Sequence, residues 1–140
     1  MAHRSPAAVR VLDDRDVGEV LALCDRDPAA NVFVSSRVRS GGLDPGALGA
    51  QMWGYYSGRR LESLCFAGAN LVPVAATPAA ITAFAERARK QGRRCSSLVG
   101  PADAVKNLWD LLRRYWGPAR TIRAEQPVMA ISSTRWSRAG

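Results

Sequence analysis

At 140 residues the chain is long enough for one domain with a single buried core and too short for two. Apolar residues make up 47% and charged residues 23%, the balance of an ordinary soluble globular protein. No run approaches the roughly 18 apolar residues of a membrane span, and Met1–Ala8 lacks the apolar core of a signal peptide, so the expected location is the cytoplasm, with no membrane partner. The net charge of +8 points toward polyanions, yet eighteen of the 20 basic residues are arginine, the skew that a high-GC coding sequence produces alongside abundant alanine and glycine.

Residues 1–8 read as a frayed tail, and Val9-Arg10-Val11-Leu12 as a short strand. Asp14 or Asp16 is placed to cap a helix carrying Val17, Val20, Leu21 and Cys24 at helical spacing. Asp27-Pro28 breaks that helix, and a second one is expected to restart at Pro28, carry Phe33, Val34 and Val38, and stop at Gly41-Gly42. Leu43 to Ala50 reads as a loop with room for one helical turn. Met52–Tyr56 and Leu61–Phe66 are strands around the hairpin turn Ser57-Gly58-Arg59-Arg60.

Leu71–Ala76 is the next strand, followed at once by a helix with Ile81, Phe84, Ala85 and Ala88 on one face, stopped at Gly92. Cys95–Val99 reads as a strand closed by Gly100-Pro101. The last helix turns Val105, Leu108, Trp109, Leu112 and Trp116 inward and ends at Gly117-Pro118, and Thr121–Arg123 and Val128–Ile131 are the final extended pieces. The domain therefore spans residues 9–131, with residues 132–140 as a polar C-terminal tail. The fold class is α/β (α+β): a mixed, mainly antiparallel twisted sheet with helices on both faces, in the order β-α-α-β-β-β-α-β-α-β(-β).

That order resembles the GNAT acyltransferase fold over essentially the whole chain. Four strings carry a closer resemblance: Asp25-Arg26-Asp27-Pro28-Ala29-Ala30-Asn31-Val32-Phe33-Val34, Met52-Trp53-Gly54-Tyr55-Tyr56, Gly68-Ala69-Asn70-Leu71-Val72-Pro73-Val74 and Cys95-Ser96-Ser97-Leu98-Val99-Gly100-Pro101. They are similar to an N-terminal GNAT-like domain that precedes the catalytic module in bacterial GNAT-family N-acetyltransferases. The resemblance implies a strand-to-helix turn that would hold the pyrophosphate of acetyl-CoA on an Arg/Gln-x-x-Gly-x-Gly/Ala loop. Here that position is Ala75-Ala76-Thr77-Pro78-Ala79-Ala80, with no glycine, no basic residue and one donor removed by Pro78. Pro73, on the strand that would hold the pantetheine, lacks a donor as well. No cofactor is expected for this chain; acetyl-CoA would enter only for a small acyltransferase with a non-standard loop.

Other constellations point away from catalysis, and no catalytic residue is assigned. His3 is the single histidine and lies in the tail, which removes Ser-His-Asp, Cys-His and His-based metal sites from the core. Asp13, Asp14 and Asp16 read as capping residues rather than metal ligands, and Asp25 and Asp27 as flanking the next helix start. Cys24, Cys65 and Cys95 are odd in number, without Cys-x-x-Cys, and are expected as buried free thiols. Trp53, Trp109 and Trp116 sit at core positions. Arg87, Arg89, Lys90, Arg93 and Arg94 cluster at a helix C-terminus, where cations complement the dipole, and no aromatic residues interleave with them in sequence.

One candidate site remains: a cleft where two strands of the GNAT-like sheet part, lined by Asn70, Cys95, Ser96 and Ser97, for a small ligand. The expected function is the accessory, non-catalytic half of a two-module N-acetyltransferase, truncated or free-standing, that partners a catalytic module or a second copy. The alternatives are a small acyl-CoA-dependent N-acyltransferase and a basic nucleic-acid-binding module using Arg87–Arg94.

Overall fold

The computed structural model describes residues 8–92, 97–116, 121–125 and 128–132. The tail residues, Arg93, Arg94, Cys95 and Ser96 lie outside them. The elements run β1 (Ala8–Val11), a 3-10 turn (Asp14–Asp16), α1 (Val17–Cys24), α2 (Val32–Gly41), α3 (Pro45–Leu48), β2 (Gln51–Ser57), β3 (Arg60–Ala67), β4 (Asn70–Val74), α4 (Pro78–Gln91), β5 (Ser97–Pro101), α5 (Ala102–Trp116), β6 (Thr121–Glu125) and β7 (Val128–Ser132). The order of strands and helices is the one expected from the sequence, with the short α3 in the 43–50 loop.

One seven-stranded sheet has the order β1-β2-β3-β4-β5-β7-β6. Every neighbouring pair is antiparallel except β4 and β5, which are parallel because α4 carries the chain back across the sheet between them. Both faces are covered. On one, α4 and α5 pack Ile81, Phe84, Leu108, Trp109 and Leu112 over Trp53 and Leu71. On the other, α1, α2 and α3 pack Val20, Leu23, Val34 and Leu48 over Met52 and Leu64. The central strands are therefore apolar on both sides rather than alternating. A register shift between Tyr55 and Tyr56 in the β2–β3 pair puts Leu61 on the same face as Leu64 and Phe66.

Some boundaries differ from the sequence reading, each for a local reason. The first cap is Asp13, which accepts from the Arg15 N–H and forms a capping box with Asp16. Arg15 beside it holds the Asp13 carboxyl below the usual carboxylate range. Asp14 instead reaches across the chain and accepts from the Leu43 N–H at 2.7 Å. Leu23, not Leu21, is the buried leucine of α1. The second helix starts at Val32 rather than Pro28. Residues 25–31 stay a turn, closed by the Asn31 N–H on the Asp27 carbonyl and by the Asp27 carboxylate on the Ala30 N–H. The strand β4 stops at Val74 because Ala75 turns to φ 52°, and β5 runs on through Gly100 and Pro101 because both pair with β7. Cys24 is a buried free thiol, and Cys65 is buried as well. Among the described residues no helix is long and apolar enough to cross a membrane, and no His, Cys, Asp and Glu side chains gather as a metal site.

Candidate functional site

The two parallel strands meet at one end only. The pairing of β4 with β5 is confined to Asn70 with Ser97 and Leu71 with Leu98. At this closed end Ser97 Oγ donates to Asn70 Oδ1 at 2.6 Å, so the two polar side chains of the sequence-derived site satisfy each other. The remaining members of that site, Cys95 and Ser96, lie outside the described residues. The space between the strands opens at the opposite, C-terminal ends.

Proline explains why the strands part. Pro73 has no N–H to offer a neighbour, and its ring faces β5: Cδ and Cγ stand 3.5 and 3.6 Å from where a side chain at Gly100 would begin. Pro101 ends β5 with a second missing donor. A third, Pro78, occupies the first turn of α4. Of the early N–H groups of that helix, Pro78 supplies none and Ala80 donates to its N-cap Thr77 Oγ1 at 3.2 Å. The turn between is held by Ser63, fully buried, whose Oγ donates to the Ala75 carbonyl at 2.8 Å. Within Ala75–Ala80, then, Pro78 has no donor and the Ala80 donor is taken by the cap.

The opening forms a cleft of about 540 Å³. Its inner wall is Leu23, Asn31, Pro73 and Ile81, all buried, with Ala75, Ala76 and Ala104 partly exposed. The charged and remaining amide groups, Arg26, Asp27, Asp103 and Asn107, are exposed at its mouth. Asp27 is engaged by the Ala30 N–H, and among the described residues Arg26 has no ion pair. Asn31 is 7% exposed, and its Nδ2 donates to the Cys24 carbonyl at 3.2 Å, covering the open end of α1. Of this lining the sequence singles out Pro73, Ala75 and Ala76, at a degenerate cofactor position; it assigns Arg26, Asn31, Asp103 and Asn107 to no site. The three prolines were visible there; Asn31 carried no signal, because its partner is a backbone carbonyl seven residues away.

Tertiary structure also changes the basic cluster. The Arg87 guanidinium lies 5.3 Å from the Trp53 ring and that of Arg89 4.7 Å from the Tyr115 ring, so aromatics absent from the local sequence come from β2 and α5. Trp53 is 1% exposed and serves the core, whereas Tyr115 is 55% exposed. Arg87 Nε is buried without a hydrogen-bond partner among the described residues.

The fold and cleft together define a mixed α/β domain whose parallel strand pair is wedged open by proline, with a polar mouth and an apolar interior. The chain belongs to the family described as domain of unknown function DUF4081, which matches residues 50–138. No curated protein matches it. Among solved structures the chain is similar to an acetyltransferase from Salmonella typhimurium that modifies the N-terminal serine of the 50S ribosomal subunit protein L7/L12, at a TM-score of 0.49 and 9% identity, over 91% of this chain and 94% of that one.

Proposed function

We propose that this domain is a GNAT-like module without acyl-transfer activity of its own, acting as the accessory half of a two-module N-acetyltransferase. The observation that carries the reading is Pro73. Its ring takes the place of a backbone donor on the open edge of β4 and stands against Gly100, where the extended pantetheine arm of an acyl-CoA would need N–H and C=O partners. The turn after β4 supports the same reading. With Pro78 lacking an N–H and the Ala80 N–H taken by Thr77, the residues there do not fit a diphosphate. Arg26 is the one basic side chain among the described residues at the cleft, and the acidic Asp27 and Asp103 line it too.

In this reading the module's work is packing, on a catalytic module or on a second copy of itself. The experiment is calorimetric titration of the purified chain with acetyl-CoA. No binding is expected below roughly millimolar concentration, where the binding free energy is only about −4 kcal/mol. A micromolar constant would instead establish the small acyltransferase with a non-standard cofactor loop, which the open cleft and the exposed Arg26 at its mouth favour as the second reading.

A further inference from the structure

The cleft that does not fit an acyl-CoA is still a formed cavity, and its chemistry is one-sided. Its volume of about 540 Å³ lies within the range of about 300–1,000 Å³ usual for small-molecule sites. The three prolines at positions 73, 78 and 101 strip backbone donors from its walls. Every charged lining residue sits at the mouth, where solvent keeps it hydrated, so the interior offers no charge to pair with a buried ion. The interior polar side chain is Asn31. One N–H of its Nδ2 goes to the Cys24 carbonyl, which leaves the second N–H as a donor and the amide oxygen as an acceptor.

We infer that this cleft binds an uncharged small molecule with an apolar body and one neutral polar group that hydrogen-bonds the Asn31 side-chain amide. The inference rests on the reading above, that the cleft does not hold an acyl-CoA. A carboxylate or phosphate would exchange its hydration for a single amide N–H, and an ammonium for a single amide oxygen. A neutral amide or hydroxyl on an aromatic or aliphatic body loses least on entering and pairs with the Asn31 amide.

The test uses three probes with one ring and different charge: benzamide, benzoate and benzylamine, titrated into the isotope-labelled full chain and followed by proton–nitrogen correlation spectra. Benzamide is expected to move the amide signals of Asn31, Ala76 and Ile81 saturably, with the two charged probes about tenfold weaker or worse. Asn31→Leu, which keeps the volume and removes the amide, should weaken benzamide about fivefold. Because that change also removes the bond to Cys24, Ala104→Phe serves as a second variant. It fills the cleft from the first turns of α5 without touching Asn31, and should abolish the saturable shifts in a folded protein. An equal response to all three probes, or a response unchanged by Ala104→Phe, would overturn the inference. Coenzyme A is titrated separately. Micromolar shifts of the same signals would overturn the functional reading, whereas silence from both coenzyme A and benzamide would overturn the ligand inference alone.

Discussion

Ser63 and Ala75 are joined across two strands: the Ser63 hydroxyl, inside the sheet on β3, donates at 2.8 Å to the carbonyl of Ala75, which stands just past the end of β4 with φ 52°. A left-handed alanine is strained by about 1–2 kcal/mol, and the hydrogen bond is what holds it there. The link ends β4 at Val74 and aims the chain into Thr77 and α4, which places the floor of the cleft.

Removing either half should be measurable in urea unfolding. Ser63→Ala is expected to cost about 1 kcal/mol, because a partly buried carbonyl loses its donor. Ala75→Gly should be neutral or stabilising by up to about 1 kcal/mol, as relieved strain offsets the greater freedom of the unfolded chain. Ala75→Val should destabilise by more than either, since a β-branched residue fits this region worst. An Ala75→Val variant as stable as the parent would refute the strain.

Gly42 tests the clamp between the first turn and α3. It has φ 70°, and a methyl group there would begin 2.6 Å from Asp14 Oδ1, the atom that accepts from the Leu43 N–H. Gly42→Ala therefore meets backbone strain and displaces a long-range hydrogen bond, with an expected loss of about 2–3 kcal/mol. Asp14→Ala should cost less, because it removes the bond without adding strain. The reverse order of the two variants would show that the contact is not what sets the position.

Cys24 should be inert in the native protein. Burial pushes its thiol from 9.0 up to about 11, with the nearby Asp25 carboxylate adding to the effect. Iodoacetamide at pH 8 should leave the Cys24 peptide unmodified until denaturant is added, as read by mass spectrometry. The sign of the linkage follows from the raised value. The folded state holds this proton more tightly, so its contribution is complete below 9.0 and is lost as pH rises toward about 11. Rapid native alkylation of Cys24 would contradict its burial.

The sheet order leaves β1 and β6 as edges. An edge presents unpaired N–H and C=O groups that a second copy can extend, and β6, which among the described residues pairs with β7 alone, is the expected site of self-association at high concentration. Sedimentation should detect a dimer, and deleting residues 133–140 should change its strength without unfolding the domain. A strict monomer at millimolar concentration, with and without those residues, would remove the β6 edge as a partner surface.

Much of the architecture was legible because its signals are local. The spacing of Val105, Leu108, Trp109 and Leu112 makes one face of a helix, and those residues are buried in α5. Thr77-Pro78 announced the start of α4, Gly92 its end, and Ser57–Arg60 a hairpin, since each depends on the backbone preferences of a few adjacent residues. The order of the elements, two helices, a three-strand meander and a helix crossover, likewise foretold a mixed sheet with helices on both faces.

The position of the cleft was not legible in that way. Whether Asn70 and Ser97 line an opening or close one depends on the register of two parallel strands 27 residues apart, and only packing sets that register. They meet and bond at the closed end, while the opening falls where Pro73 and Pro101 deny each strand a donor. Asn31 reaches the cleft only because the turn after α1 folds over the sheet beside Pro73 and Ile81. Periodicity and turn chemistry determined which elements form, because those are short-range free energies of the chain itself. Tertiary structure alone decided which prolines border the opening and which amide is buried beside it, because those contacts arise only when distant elements exclude water together.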